Sequence, residues 1–238
     1  EAKNYLALSI VLPTYNEQEN VGIFIPQLAE IFRSIPHEVI VVDDNSPDGT
    51  AEAVRSLQKS FPNLRLLVRS GKLGVGSALR HGYNAARGDV ILSSDADLAF
   101  KPDDLLKLYQ AVAGGYDLAI GSRHSRASGR DIPTFTGLIR YAVSRLGNRF
   151  LRMVFGIPLD DFSMNCRAIR RELWSSLHSR ENSNFFFFEM AFLAKANGAR
   201  IIGVPVIFTD RRHGASKINL FLEIPKAFMK MIIFLLRR

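Results

Sequence analysis

The chain has 238 residues, of which 47% are hydrophobic and 23% charged, so it can bury the core of one α/β domain and is not a disordered polymer. The single cysteine, Cys166, excludes an internal disulfide and favours a reducing, cytosol-facing environment. The chain has no signal-peptide pattern at its start and no run of about 18 uncharged apolar residues, so we expect no membrane-spanning segment within it.

The formal net charge of +8 favours an anionic partner, and the positive charge is concentrated in the second half of the chain. Seven arginines fall between residues 123 and 152, and a second basic group runs from Arg211 to the C-terminus. These residues are mixed with Phe, Leu and Ile, a composition typical of a membrane-surface or phosphate-binding face. We therefore expect no nucleic-acid partner.

Short apolar runs alternate with segments of helical periodicity over the first 95 residues. We predict strands at Leu6–Leu12, Glu38–Val42, Leu64–Val68 and Val90–Ser93, and helices at Glu19–Ser34, Thr50–Ser60 and Ser77–Ala86. Pro13 is expected to end the first strand. Three successive strand–helix repeats predict a mostly parallel sheet with helices on both faces.

The pattern is less regular after Pro102. The predicted elements are a helix at Asp103–Ala113, a strand at Leu118–Gly121, a loop at 124–134, an amphipathic helix at 135–155, a strand at Ile201–Phe208 and a second amphipathic segment at Leu220–Arg238. The run Phe185–Phe188 is not expected to face a helix core with all four rings. A lipid channel, a buried strand and a turn stay open as interpretations of it.

Polar clusters follow three of the four predicted strands of the first half. They are Thr14–Glu17, Asp43–Asp48 and Asp95–Asp97. Ligands of parallel α/β sheets bind beyond the carboxyl ends of the strands, so we expect the three clusters to form one site.

Asp95 and Asp97 supply hard oxygen ligands just past a buried strand, which suits Mg²⁺ or Mn²⁺. A divalent ion both holds a diphosphate and assists its departure as a Lewis acid. An isolated pair of this kind more often caps a turn and the following helix. The two other clusters favour the metal interpretation here.

Three runs of this sequence resemble motifs of the inverting family 2 glycosyltransferases, which have the GT-A fold. They are PTYNE at 13–17, VVDDNSPDGT at 41–50 and DADL at 95–98, and Gly121-Ser122-Arg123 also fits. Within that family the chain is most similar to the polyprenyl-phosphate hexose synthases, the dolichol-phosphate mannose synthase type. The matching residues are Arg140, Ser144 and Asn148, Asp160 with Ser163, Glu189, and the run FTDRRHGASK at 208–217.

The resemblance implies a role for each matching residue. It assigns the donor nucleotide to Pro13, Tyr15, Glu17, Asp44 and Asp95, the metal to Asp95 and Asp97, and the acceptor phosphate to Arg140, Ser144, Arg211 and Lys217. Asp97, Arg123 and Arg211 are the implied catalytic residues, because arginines can hold the two anionic reactants together. The alternatives are that Tyr15 packs in the core, that Asp44 caps a helix and that the arginines are solvated surface residues.

The resemblance also implies the reaction: inverting transfer of a hexose, with mannose favoured, from a nucleotide sugar to a polyprenyl or dolichyl phosphate. GDP-mannose is the favoured donor and UDP-glucose is possible. A catalytic GT-A domain is expected over 1–217, with 135–155 as an interface helix within it, and an amphipathic membrane-interface segment over 218–238. The enzyme is then expected to be membrane-associated, with its catalytic domain on the cytoplasmic face.

Three other functions are left open. A sugar-hydroxyl acceptor would require a carboxylate base, for which Asp160, Asp161 and Glu189 are available. A nucleotidyltransferase would carry a Gly- and Lys-rich signature near the first strand, and PTYNE is not one. A basic nucleic-acid-binding domain explains the charge but not the acidic clusters.

The chain departs from the family pattern at two places. Ala99 stands where relatives often carry Gln two residues after the second Asp, which predicts greater reliance on water at the metal. Residues 160–165 read DDFSMN where relatives read DPxSGF, which predicts an acceptor pocket of different shape.

Overall fold

The computed structural model describes residues 7–122, 145–149, 152–157, 159, 161 and 164–207. Its strands are β1 Leu8–Thr14, β2 His37–Asp43, β3 Leu64–Val68, β4 Val90–Ser94, β5 Leu118–Ser122, β6 Cys166–Arg170 and β7 Ile201–Pro205. Its helices are α1 Gln18–Ile31, α2 Thr50–Leu57, α3 Val75–Ala85, α4 Pro102–Ala113, α5 Arg171–Ser176 and α6 Phe186–Ala196. Residues 145–149 and 152–155 are also helical.

The seven strands form one sheet in the order β3-β2-β1-β4-β6-β5-β7. The pairs β1–β2, β1–β4, β2–β3 and β5–β7 are parallel, whereas β6 runs antiparallel between β4 and β5. The predicted α/β class and mostly parallel sheet are confirmed, and each strand and helix predicted over residues 7–122 is present.

Strand β1 continues two residues beyond the predicted end at Leu12. Pro13 pairs with Val42 of β2, but the pairing of β1 with β4 ends earlier, at Val11 and Ser93. The carbonyl of Thr14 accepts from Asp44 N on the β2 side, so the missing N–H of Pro13 faces the β4 side, where the ladder has already ended. The proline therefore costs no ladder hydrogen bond.

Alternate side chains of the sheet enter two separate cores. Ile10 and Leu12 pack with α1, α2 and α4 on one face, and Val11 packs with α3 and α6 on the other. Each fully buried aliphatic side chain contributes about 1.5–3 kcal/mol. Helix α3 approaches the sheet at Gly82, where an added Cβ would lie 3.0 Å from Val42 Cγ2 and still closer to Val11. These two cores fix the sheet edge that carries the predicted site.

Helix α6 corrects the interpretation of the phenylalanine run. Phe186, Phe187 and Phe188 are 0%, 5% and 4% exposed at the start of this helix, whereas Phe185, which precedes it, is half-buried. The run is therefore not a buried strand, and three of its four rings enter the core from a helix. The first turn is enclosed from several directions. Phe186 contacts the Tyr83 and Trp174 rings, Phe187 lies under the Arg167 guanidinium, and Phe188 packs on Phe155.

Several predicted segments fall outside the described residues: the loop at 124–134, most of the helix at 135–155, and 220–238. Among the residues that the structure describes, no helix is long and apolar enough to cross a bilayer. Cys166 is a fully buried free thiol in β6, and burial raises its pKa well above the ordinary thiol range.

Candidate active site

The three polar clusters lie side by side at one edge of the sheet, because β1 lies between β2 and β4 and all three strands run parallel. The loops after β1 and β2 are joined by hydrogen bonds. The backbone N–H groups of Asn16, Glu17 and Gln18 donate to Ser46 Oγ, Thr50 Oγ1 and Asp48 Oδ2 at 3.0, 3.0 and 3.1 Å. This edge is therefore held together before any ligand binds.

Asp43 and Asp44 are adjacent in sequence but serve different contacts. Asp43 is fully buried and accepts hydrogen bonds from Thr14 Oγ1 at 3.0 Å and from Ser46 N at 2.9 Å. These bonds fix the end of β1 and the loop after β2. Asp43 is thus a structural anchor of the edge.

Asp44 instead forms a buried ion pair with Arg69, which directly follows β3. Arg69 Nε and Nη2 approach Asp44 Oδ1 at 2.6 and 2.5 Å, and both side chains are under 10% exposed. Burial raises the pKa of Asp44, and the hydrogen bond from Arg69 opposes that rise. Arg69 also donates to Ser77 Oγ at 2.7 Å, which ties α3 to this corner.

Tyr15 forms a half-buried aromatic wall next to this ion pair. Lys72 Nζ lies 4.6 Å from the centre of the Tyr15 ring, a cation–π contact. The loop between β3 and α3, which carries Lys72, therefore reaches the predicted nucleotide residue Tyr15. Pro13, near the end of β1, and Glu17, in the loop after it, are half-buried, and Glu17 accepts from Asn20 Nδ2 at 2.6 Å.

Asp95 and Asp97 follow β4 on a tight turn. Leu98 has a φ of +60°, and Ala99 N donates to Asp97 Oδ1 at 3.1 Å. Asp97 is 4% exposed, whereas Asp95 is half-buried and accepts from Asn165 Nδ2 at 3.0 Å. Ala99 is buried, so its methyl group packs into the core at the position where relatives often carry glutamine.

The donor set of this turn suits a hard divalent cation. Mg²⁺ and Mn²⁺ commonly take one or two protein carboxylates and fill their other positions with phosphate oxygens and water. In the described part of the chain no group of three or more His, Cys, Asp and Glu side chains is placed to hold a metal. Asp95 and Asp97 would accordingly hold the ion together with the donor's phosphates.

Arg167 lies wholly inside the protein behind this turn. Its guanidinium donates to the carbonyl oxygens of Met164 and Phe187, at 2.7 and 3.0 Å, and burial lowers its pKa to about 10. It supplies positive charge behind Asp95 and Asp161. Sequence analysis missed Arg167, because a charged residue weakened the strand signal of β6.

The carboxylates considered as bases for a hydroxyl acceptor have structural contacts. Glu189 is buried and accepts from Ser179 Oγ at 2.6 Å and from Glu181 N at 3.1 Å, which fixes the loop before α6. Asp161 is 1% exposed and accepts from Asn148 Nδ2 at 3.3 Å. Asp160 lies outside the described residues.

The structure thus brings together the predicted donor and metal residues: Pro13, Tyr15, Glu17, Asp44, Asp95 and Asp97. The predicted acceptor residues Arg140, Ser144, Arg211 and Lys217 lie outside the described part of the chain, as does Arg123, which was predicted to be catalytic. Arg69 and Asn165 were missed by sequence analysis. Arg69 follows β3 directly, so the strand-end rule that found the three clusters could also have found it.

A family model described as glycosyl transferase family 2 matches residues 9–177. With this edge geometry and a match over more than half its length, the chain belongs to glycosyltransferase family 2. It is therefore a glycosyltransferase, as the sequence motifs predicted.

Two curated proteins show which members the chain is similar to. Polyprenol monophosphomannose synthase of Mycolicibacterium smegmatis is 32% identical over 217 residues, 88% of this chain and 80% of that protein. Dolichol-phosphate mannosyltransferase of Pyrococcus furiosus is 31% identical over 217 residues, which cover 90% of this chain. The match spans only 60% of the Pyrococcus protein's length.

Solved structures confirm the GT-A fold. Glucosyl-3-phosphoglycerate synthase of Mycobacterium tuberculosis, in complex with Mn²⁺, UDP and glucosyl-3-phosphoglycerate, superposes with a TM-score of 0.70 at 21% identity, covering 98% of this chain and 79% of that one. Mannosyl-3-phosphoglycerate synthase of Rubrobacter xylanophilus has a TM-score of 0.66 at 20% identity, covering 93% and 70%.

Proposed function

We propose that the protein transfers mannose from GDP-mannose to a polyprenyl or dolichyl phosphate, with inversion at the anomeric carbon and with Mg²⁺ or Mn²⁺ bound. The observation that carries the proposal is the convergence of three acidic or aromatic clusters at one edge of a family 2 fold. The two curated relatives support the mannose donor and the lipid-phosphate acceptor, because both are named for that reaction.

The donor nucleotide occupies the corner formed by β1, β2 and β3. Tyr15 offers a flat face for the base, and Pro13 and Glu17 border it. Both contacts from Arg69 reach Oδ1 of Asp44, and we assign Oδ2 to a donor group on the base or ribose. Lys72, which contacts the Tyr15 ring, is assigned to the donor's diphosphate.

Asp95 and Asp97 would hold the metal, which when bound would supply Lewis-acid assistance to the departure of the nucleoside diphosphate. Asp97 is held by Ala99 N and Asp95 by Asn165 Nδ2, so both carboxylates keep their places as the charge of the leaving group develops. Pre-set groups of this kind need no reorganisation during the reaction.

The acceptor phosphate is assigned to Arg140, Ser144, Arg211 and Lys217, with Arg123 towards the leaving diphosphate. An oxygen of this phosphate forms the new bond to the anomeric carbon as the bond to the nucleoside diphosphate breaks. A phosphate oxygen is already ionised at neutral pH, so no general base is required. The structural contacts of Glu189 and Asp161 support this acceptor over a sugar hydroxyl.

We also propose that the enzyme works at a membrane surface, on the cytoplasmic face, where the lipid tail of the acceptor resides. In the helical residues 145–149 and 152–155, Leu146 and Met153 are 69% and 76% exposed beside the exposed Arg145, Arg149 and Arg152. Apolar groups bordered by cations are typical of helices in the headgroup region. Phe155 turns the other way and packs on Phe188, with ring centres 4.9 Å apart.

Liposome binding tests the membrane part of the proposal. The protein should co-sediment with anionic vesicles at low salt and release at high salt, since the attraction is partly electrostatic. Phe228→Asp combined with Ile232→Asp should release it, and Ile23→Asp, on an exposed part of α1, should not. Lack of binding at low salt would remove the interfacial role.

A donor screen tests the reaction itself. The purified protein is incubated with a short polyprenyl phosphate, Mn²⁺ and either GDP-mannose or UDP-glucose, and the lipid product is analysed by mass spectrometry. We expect polyprenyl phosphomannose from GDP-mannose. A product from UDP-glucose alone would overturn the donor assignment, and sugar transfer to a hydroxyl acceptor alone would overturn the acceptor assignment.

A further inference from the structure

A buried series of hydrogen bonds runs from α3 through β4 to the turn that carries Asp95 and Asp97, here called the metal turn. Tyr83 OH lies 2.7 Å from Ser93 Oγ, Ser93 Oγ donates to Asn165 Oδ1 at 2.7 Å, and Asn165 Nδ2 donates to Asp95 Oδ1 at 3.0 Å. Tyr83, Ser93 and Asn165 are each at most 2% exposed. This series thus connects the protein core directly to one of the two carboxylates of the turn.

The topology explains why Asn165 can reach Asp95. Strand β6 runs antiparallel to β4 and pairs Cys166 with Ser94, so the residue before β6 lies beside the residue after β4. A strand parallel to β4 would bring its carboxyl end, and not its beginning, beside Asp95. Asn165 therefore approaches the turn from outside the three strand-end clusters.

The donors and acceptors in this series of hydrogen bonds can be arranged in only one direction. Ser93 has a single hydroxyl proton and gives it to Asn165, so Tyr83 must be the donor to Ser93. Burial raises the pKa of Tyr83 to about 12, so its phenol keeps that proton at neutral pH. With its Oδ1 occupied by Ser93, the Asn165 amide can present only its N–H₂ group to Asp95.

We infer that Asn165 is a positioning residue that orients the Asp95 carboxylate for the metal, and that Ser93 and Tyr83 fix the Asn165 amide in that orientation. The inference rests on the proposed metal site. Asn165 lies in the stretch where this chain departs from the DPxSGF pattern, so its amide is a feature of this sequence. Partners of this kind commonly change metal affinity by about 10- to 100-fold.

The test measures the affinity of the whole protein for Mn²⁺ in the presence of saturating GDP, by electron paramagnetic resonance of free Mn²⁺. Asn165→Leu, which keeps the volume and removes the amide, should weaken Mn²⁺ binding by roughly 10-fold or more. Ser93→Ala should weaken it by a smaller factor, and Tyr83→Phe by the least. Transfer at saturating Mn²⁺ should recover in all three, which an effect on folding alone would not produce.

Ser9→Ala is the matched control. Ser9 is also a fully buried strand serine, and its hydroxyl donates to Glu38 Oε1 at 2.7 Å, far from the metal turn. It should lose stability like Ser93→Ala and keep the wild-type Mn²⁺ affinity. If Asn165→Leu does not fold, the Mn²⁺ affinities of Ser93→Ala and Ser9→Ala are compared instead, and a loss in Ser93→Ala alone supports the positioning role.

Mn²⁺ affinities within twofold of wild type in Asn165→Leu and Ser93→Ala would overturn the positioning role and leave the proposed function intact. A wild-type protein that binds GDP but no Mn²⁺ would overturn the metal site and this inference together.

Discussion

The two halves of the sheet build the site in different ways. In the half formed by β3, β2, β1 and β4, four of the candidate site residues directly follow a strand: Arg69, Asp44, Tyr15 and Asp95. In the half formed by β6, β5 and β7, Asn165 precedes its strand and Arg167 lies inside one. In the proposed function the first half would bind the donor, and these residues of the second half lie behind the turn that carries Asp95.

The difference comes from the direction of the strands. Parallel strands all end at one edge, so a rule about strand ends finds the functional residues of the first half. Strand β6 is antiparallel to β4, so its first residues, and not its last, lie at the edge where β4 ends. A mixed sheet can therefore place supporting residues where a parallel pattern would not predict them.

The largest expected effect on the transfer rate comes from substitutions after the carboxyl end of β4, and substitution at the other end of this strand should have little effect. Asp97→Asn should lower transfer by roughly 10³-fold or more at saturating donor, because the metal supplies several kcal/mol of charge stabilisation. Asp95→Asn should be less severe. Steady-state rates with GDP-mannose and a short polyprenyl phosphate measure both.

Asp89→Asn is the matched control, because Asp89 precedes the same strand at its opposite end and accepts from Ala7 N at 3.0 Å. Its transfer rate should stay near wild type. A rate near wild type in Asp97→Asn would contradict the placement of the site at the carboxyl edge.

Two ion pairs between β2 and β3 sharpen the comparison further. Arg69→Met leaves the buried Asp44 without its partner and should lower the free energy of unfolding by about 3 kcal/mol. Arg65→Met breaks the more exposed pair with Glu38, 28% and 14% exposed, and should cost less. Urea unfolding at pH 7 measures both.

The loss in Arg69→Met should depend on pH. The folded-state pKa of Asp44 is already raised by burial, and losing Arg69 raises it further. A raised carboxyl pKa means that the ionised form destabilises the fold, so the deficit relative to wild type should shrink as pH falls through the raised value. A deficit that grows at lower pH would contradict the buried-pair account.

The next prediction concerns two of the predicted acceptor residues, which follow β7 in the sequence. Arg211→Ala and Lys217→Ala should raise the KM for polyprenyl phosphate by about 10- to 150-fold, the equivalent of one charge-assisted phosphate contact, 1.5–3 kcal/mol. The KM for GDP-mannose should change little. Arg200→Ala, an exposed arginine paired with Asp117, is the control. Weaker donor binding alone would show that the acceptor assignment is wrong.

The smallest expected effect is on the pH dependence of stability and concerns Glu38, near the amino end of β2. Burial raises the pKa of Glu38, but hydrogen bonds from Ser9 and Arg65 outweigh it and leave the pKa lowered. Such a group stabilises the fold above its unfolded-state pKa and loses that contribution as pH falls through the folded-state value. The melting temperatures of wild type and Glu38→Gln should therefore converge between pH 6 and pH 3. A gap that stays constant over this range would contradict this.

Local sequence patterns were enough to predict the first half of the fold. Alternating apolar runs and helical periodicity located β1 to β4 and α1 to α4, and also β5 and β7 of the other half, and strand ends indicated Asp44, Asp95 and Asp97. The second half depends on contacts between distant residues. Arg167 is acceptable in β6 only because Met164 and Phe187 carbonyls satisfy it, and the three phenylalanines of α6 only because other elements enclose them. No local pattern contains that information.

The most direct test of the central claim is the melting temperature of the protein with GDP, with and without Mn²⁺. At a ligand concentration of about 100 Kd the stabilisation is about 2.7 kcal/mol, which corresponds to a rise of roughly 5–10 °C for a chain of this size. We predict that rise with GDP and Mn²⁺ together, a much smaller one after chelation, and a similarly small one in Asp97→Asn. An equal rise after chelation, or no rise with any nucleoside diphosphate, would contradict a metal-assisted nucleotide-sugar site at this edge of the sheet.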